Sequence, residues 1–136
     1  MKIRELTAEN ERREAVPILR QLWGHKTPEE VFKWTGGDDY YLFGGFVDDE
    51  LVAVAGVLER HVLHHVQHAW LYDLVVDDSQ RGQGYGASIV DHVETWAEDR
   101  GCDYVSLACP FDNQDAHKFY ESIDYEKWGH VIEKEL

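Results

Sequence analysis

Cysteine, methionine, proline and long apolar runs are all scarce in this chain, which has 2 Cys, 1 Met and 3 Pro in 136 residues. Cys102 and Cys109 would lie at the two ends of one short strand, too far apart to form a disulfide with each other. They read as buried apolar thiols in a reducing compartment. The longest apolar runs, such as VAVAG, fall far short of the ~20 residues that cross a bilayer, and MKIRELTAENERRE lacks the apolar block of a signal peptide. The expectation is a cytoplasmic protein with no membrane partner. Positive charge is scarce too. The 13 Lys and Arg against 27 Asp and Glu give a formal net charge of −14. Nucleic-acid binding needs clustered Lys and Arg, so no nucleic-acid partner is expected. The acidity suits solubility by repulsion, including in high salt, or a cationic small substrate.

The hydrophobic content of 43% is enough for one sizeable core, so a single domain over residues 1–136 is expected. KIRELT alternates like a short strand, and Thr7 can cap a helix carrying Ala15, Ile18, Leu19 and Leu22 at helical spacing. TPEEVFKW predicts a second helix, with Thr27 as cap, Pro28 in the first turn, Glu30 as the reciprocal partner and Gly36-Gly37 as the stop. The strand-like segments YYLFGGFV, ELVAVAGVLERHV and HAWLYDLVV follow. Asp48-Asp49 closes a hairpin between the first two, and a second hairpin is expected near LHHVQ. A long helix runs from about Gly84 to Arg100 with Gly101 as its stop, then the strand DYVSLAC, the helix NQDAHKFYES and a final strand YEKWGHVIEKEL. The order β-α-α-β-β-β-α-β-α-β is an α+β fold, an antiparallel meander feeding a β-α-β crossover.

The segment VVDDSQRGQGYGASIV carries the chemistry. Glycines 82, 84 and 86 clear side chains from the mouth of a helix, where unpaired N–H groups and the positive end of the macrodipole attract an anion, a phosphate or pyrophosphate above all. A nucleotide P-loop would end in Gly-Lys-Ser/Thr, but Tyr85, Gly86 and Ala87 follow Gly84. A dinucleotide G-x-G-x-x-G is not matched by GQGYGA, and the preceding strand belongs to a meander.

This segment resembles the acetyl-coenzyme A signature R/Q-x-x-G-x-G/A of the GCN5-related N-acetyltransferases, carried by Arg81, Gly84 and Gly86. The resemblance covers roughly residues 40–136 and includes NQDAHKFYESIDY, similar to the family's N-x-x-A-x-x-F-Y-x-x-x-G-F/Y. It implies a mostly antiparallel sheet flanked by helices, with strands four and five splayed. Acetyl-coenzyme A would enter as co-substrate, with Leu74, Val75 and Val76 offering a backbone edge to its pantetheine. The backbone bulge implied near Leu74 or Val75 would donate an N–H to the thioester carbonyl. Arg81, Gly82, Gln83, Gly84, Tyr85, Gly86 and Ala87 would wrap the pyrophosphate, Asn113 would contact the pantetheine arm, and Phe119 would pack beneath it. Tyr120 matches the tyrosine that in many members protonates the departing thiolate. Asp124 stands where the second signature has glycine, and Asp tolerates a left-handed conformation better than most residues. DAHKFYES…YEKWGHVIEKEL looks most like members that acetylate small amines, including aminoalkylphosphonates and aminoglycosides.

An amine arrives protonated, so a base is needed. Asp73, just before the cofactor-binding backbone, is the first candidate, and Glu59 on strand three the second; a structural role for Asp73 is weighed beside the catalytic one. The cluster His61, His64, His65 and His68 scatters in a strand-turn-strand, and with no cysteine or nearby carboxylate to complete a tetrahedral set no metal site is expected. His117 reads as helix surface. Trp34, Tyr40 and Tyr41, with Asp38 and Asp39, either line an amine pocket or pack in the core. No activated Ser or Cys constellation appears, so direct transfer of acetyl to the primary amine of a small molecule or a peptide N-terminus is expected. The alternative is a non-catalytic acyl-coenzyme A sensor using the same cleft. The acidic surface and the final strand allow, without requiring, a homodimer.

Overall fold

The computed structural model describes residues 1–63 and 66–136. They form two units, Met1–Ser106 and Leu107–Leu136. In the first, β1 (Lys2–Glu5), α1 (Glu9–Leu22), α2 (Pro28–Thr35), β2 (Tyr40–Val47), β3 (Glu50–Val62), β4 (Val66–Val76), α3 (Tyr85–Asp99) and β5 (Tyr104–Ser106) build a sheet of order β1-β2-β3-β4-β5. All neighbours are antiparallel except β4 and β5, which run parallel.

Local chemistry sets several boundaries. Thr27 Oγ1 accepts from Glu30 N at 3.1 Å and Glu30 Oε1 accepts from Thr27 N at 3.3 Å, the reciprocal cap expected for α2. At α1 the cap is Ala8 and not Thr7, because Glu11 reaches back to accept from Ala8 N at 3.1 Å. Asp48 and Asp49 both have positive φ (50° and 65°), the two-residue turn whose twist matches a right-handed hairpin, and Val47 pairs with Glu50. Val62 pairs with Val66 across the second hairpin; His64 and His65 lie outside the described residues.

The sheet has two covered faces. On one, Val54 and Leu58 of β3 meet Ala15, Ile18 and Leu19 of α1 and Val31 of α2. On the other, α3 buries Ile89, Val90 and Val93 and sets His92 and Trp96 against Phe43, with ring centroids 5.6 and 5.3 Å away. Gly101 (φ 85°) ends α3 as expected, with Cys102 N bonded to Ala97 O at 2.9 Å.

In the second unit α4 spans Gln114–Ser122 and ends in a Schellman turn. Tyr125 N bonds Tyr120 O at 3.0 Å, Asp124 N bonds Glu121 O at 3.2 Å, and Asp124 sits at φ 70°. The final strand expected over YEKWGHVIEKEL is not formed: residues 126–136 carry no regular secondary structure. Extended chain becomes a strand only where a neighbour takes its hydrogen bonds, and among the described residues no strand pairs with this segment, whose Trp128, Val131, Ile132 and Leu136 stand exposed. The Schellman turn makes a prediction. Asp124→Gly should stabilise the protein by up to about 1 kcal/mol, because relief of left-handed strain outweighs the added entropy of the unfolded chain. A lower melting temperature for this variant would show that Asp124 bears no such strain.

Candidate active site

The β4 and β5 ladder holds only His68↔Tyr104, Ala69↔Val105 and Trp70↔Ser106. Beyond Trp70, β4 continues to Val76 with β3 alone as its strand neighbour among the described residues. The two strands are therefore splayed, and the backbone of Leu74, Val75 and Val76 has one free side in the sheet. A register slip marks the point of divergence. Gly56 pairs with Asp73 and Val57 with Leu71, so Tyr72 is the extra residue. The bulge thus falls at Tyr72 and not near Leu74 or Val75, whose pairing with Ala55 and Val54 is regular.

After β4, Asp77 N bonds Val52 O at 2.8 Å, and Gln21 of α1 ties down the lead-in. Its Nε2 donates to Asp77 Oδ1 at 3.3 Å and its Oε1 accepts from Asp78 N at 3.0 Å. A 3₁₀ turn over Asp78–Gln80 follows, and Arg81 donates through Nε to Val76 O at 3.1 Å while pairing with Asp78 at 2.8 Å. Gly82 and Gly84 both sit at φ 82°, with open space where a Cβ would stand. Gly84 caps α3 without a side-chain hydrogen bond, and no acidic residue occupies the first turn. The first intrahelical bond is Ser88 N to Gly84 O at 3.1 Å, so the N–H groups of Tyr85, Gly86 and Ala87 open the helix. Gln83 lies between Gln80 and Tyr85, at 3.4 and 3.3 Å. A free strand edge leading to a bare helix N-terminus fits a long ligand with amides at one end and phosphates at the other.

The two candidate carboxylates differ. Glu59 is ion-paired to Arg100, accepts from Gln67 Nε2 at 3.2 Å and lies 4.0 Å from His61 Nε2. Arg100 in turn lies 4.9 Å over both Tyr41 and Trp96. Asp73 is 3% exposed. Trp23 Nε1 donates to its Oδ1 and Tyr40 Oη to its Oδ2, each at 2.6 Å. Burial raises the Asp73 pKa, opposed by hydrogen bonds from Tyr40, Trp23 and Trp34. Trp23 escapes a reading of periodicity because it stands just past the last apolar position of α1. Gly56, an isolated glycine in an apolar strand, was the available signal of close approach. Tyr40 turns to Asp73, and Trp34 packs edge-on to it at 5.6 Å. A cleft of about 260 Å³ is lined by Glu5, Thr7, Arg12, Thr35 and by Tyr40 and Tyr41, two of the aromatic residues weighed for an amine pocket, and by none of the catalytic or cofactor-binding candidates. Among the described residues no group of three or more His, Cys, Asp or Glu could hold a metal ion.

In the second unit, Asn113 caps α4, its side-chain oxygen accepting from Ala116 N at 3.1 Å. Phe119 and Tyr120 meet at 5.0 Å between ring centroids, and Tyr120 and Tyr125 at 5.6 Å. Burial, with a smaller effect from Cys109, pushes the Tyr120 phenol up to about 12. His117 Nε2 contacts Pro110 O at 2.7 Å. Cys102 and Cys109 are half-buried free thiols with pKa values raised by burial.

The model of the acetyltransferase (GNAT) family matches residues 5–125. An uncharacterized N-acetyltransferase of Bacillus subtilis (strain 168), YhdJ, is 30% identical over 138 residues, covering 98% of this chain and 94% of the relative. Aminoglycoside N-acetyltransferase AAC(6')-Iy in complex with CoA matches with a TM-score of 0.88 at 17% identity, over 99% of this chain and 93% of that one. A ribosomal-protein-alanine N-acetyltransferase from Brucella melitensis biovar Abortus 2308 matches with a TM-score of 0.83 at 18% identity, over 98% of both chains. These two structures share the fold. With the family match spanning both units and the B. subtilis relative matched along nearly its whole length, the chain belongs to the acetyltransferase (GNAT) family and is an acyltransferase that takes acetyl-coenzyme A as co-substrate.

Proposed function

We propose that the protein moves acetyl from acetyl-coenzyme A to the primary amine of a small molecule, or to a peptide N-terminus, by direct attack in a ternary complex. The observation that carries this reading is the free edge of β4 running into the uncapped N-terminus of α3. The aminoglycoside substrate in the name of one structural neighbour, and a net charge of −14 that attracts ammonium groups, support a small amine. The reading takes residues 1–136 as one domain working in the cytoplasm, and the acidic surface allows, without requiring, a second copy.

The co-substrate supplies the activated acetyl group and a thiolate leaving group. In this reading the backbone of Leu74, Val75 and Val76 binds the pantetheine amides, and the turn from Arg81 through Gly82, Gln83, Gly84, Tyr85, Gly86 and Ala87 binds the pyrophosphate. Asn113 and Phe119 flank the pantetheine arm, and Tyr120 holds a proton at Oη for the thiolate. Asp73 is preferred over Glu59 as proton acceptor. Burial raises its pKa, and its two oxygens keep lone pairs beyond those taken by the donors, whereas Glu59 is neutralised by Arg100.

A thiol-release assay across polyamines, aminoglycosides, aminoalkylphosphonates and peptide N-termini tests the function. Turnover of a small amine is expected, and no turnover with any of them overturns the reading. Binding is tested apart from turnover. Acetyl-coenzyme A at 100 times its dissociation constant should stabilise the fold by about 2.7 kcal/mol, and a melt unmoved by saturating ligand would remove the groove from the argument.

A further inference from the structure

The Asp73 carboxylate is gripped from several elements at once. Trp23 caps the C-terminal end of α1 and Tyr40 opens β2, yet both donate to Asp73 at 2.6 Å. Gly56 of β3 makes the grip possible: a Cβ there would stand 1.7 Å from Tyr40 Oη and 2.8 Å from Asp73 Oδ2. The bulge supplies the orientation. Leu58, opposite Trp70, faces α1 and α2, so by simple alternation Asp73 would point to the α3 side. The extra residue at Tyr72 turns Asp73 opposite Gly56, back onto the face of Trp23 and Tyr40. An apolar residue would fill this place with less desolvation cost. A buried carboxylate whose two closest donors come from two other elements, with a glycine cleared for one of them, is arranged for its charge.

We propose that Trp23 and Tyr40 are positioning residues for acetyl transfer, fixing the Asp73 carboxylate on the α1 and α2 face and holding it ionised to draw the acceptor's proton. This rests on the reading of the chain as an amine acetyltransferase with Asp73 as proton acceptor. The groups facing Asp73 are Trp23 from α1, Trp34 from α2, Tyr40 from β2 and Gly56 from β3. Of these only Tyr40 titrates, and burial together with the neighbouring carboxylate raises its pKa well above the usual phenol, so it stays a donor. The donor bonds favour the charged form and lower the Asp73 pKa against the opposing effect of burial. Removing one donor therefore raises it further.

The test is ¹³C NMR of protein labelled at aspartate carboxyl carbons, with the Asp73 signal identified by its loss in Asp73→Asn. Tyr40→Phe keeps the ring beside Trp34 and removes one donor. It should raise the Asp73 midpoint by about one pH unit, the scale of one hydrogen bond to a charged group, and Trp23→Phe should do the same. The acidic limb of kcat/KM should move up with the midpoint, while the acetyl-coenzyme A Kd stays unchanged, and it should flatten in Asp73→Asn. A packing role alone would lower the melting temperature and leave midpoint and limb in place. An unmoved midpoint in both Tyr40→Phe and Trp23→Phe overturns the proposal, and so does an acidic limb that stays put while the midpoint moves. The NMR titration needs no substrate. Wild-type protein that acetylates no amine therefore shows itself separately, and overturns the function and this role together.

Discussion

Gly84→Asp should abolish acetyl-coenzyme A binding while the protein remains folded. The two halves of this expectation have separate physical grounds. The fold tolerates the side chain because a Cβ at Gly84 meets nothing within 4 Å. The φ of 82° costs an aspartate of order 1 kcal/mol, less than for most residues, and a carboxylate at the first turn of α3 recovers part of that by facing the positive end of the helix. Binding fails for the same reason that folding survives. The new carboxylate occupies the N–H groups of Tyr85, Gly86 and Ala87 and sets a negative charge where the pyrophosphate must approach. A Gly84→Ala control carries the conformational strain without the charge, so it should lose less affinity. Calorimetry that returned near-native affinity for Gly84→Asp, in protein with a native melting profile, would mean that the phosphates are held elsewhere.

What could be read from the sequence was chemistry that acts within a few residues. Thr27 and Glu30 are three positions apart, Asp48 and Asp49 are adjacent, and Gly84 stands next to the helix it opens. In each case the residue type answers a backbone demand made on the spot. The larger misplacements occur where the demand comes from farther away. The bulge fell at Tyr72 because Asp73 is drawn to Trp23 and Tyr40, which stand 50 and 33 positions away in the chain, whereas the shift of the α1 cap to Ala8 is a local choice that Glu11, three positions on, makes over Thr7. Alternation along DLVV carries no trace of such a bulge. Gly56 did carry one, as an interruption in an apolar strand whose cause is a phenol from another strand. Glu59 shows the same limit from the other side. A carboxylate on strand three is a fair candidate base by position, but Arg100, 41 residues on, makes it half of an ion pair. The final strand failed because a strand depends on its neighbour as much as on its own residues.

Tyr120→Phe should lower kcat by roughly 10²–10⁴-fold, the range of a well-placed proton donor, with little change in acetyl-coenzyme A affinity. Burial pushes the Tyr120 phenol up to about 12, so it is protonated at any working pH and is always ready to give. The same shift makes it a reluctant donor. Even against a fully formed thiolate, whose thiol has an ordinary pKa near 8.5, complete transfer would be uphill by roughly 3.5 units, at about 1.4 kcal/mol each, and it would be steeper still while sulfur remains bonded to carbon. Tyr120 therefore serves the thiolate as charge develops on sulfur, through a hydrogen bond that strengthens along the reaction and is weak in the ground state. That is the signature of an interaction made in the transition state, which lowers kcat and kcat/KM together. The substitution is clean because phenylalanine keeps the ring contacts with Phe119 and Tyr125, and the turn that ends α4 is held by backbone bonds. Single-turnover measurement of thiol release separates chemistry from product release, and calorimetry gives the affinity. An unchanged rate under those conditions would assign Tyr120 to packing between Phe119 and Tyr125 and leave the thiolate to take its proton from water.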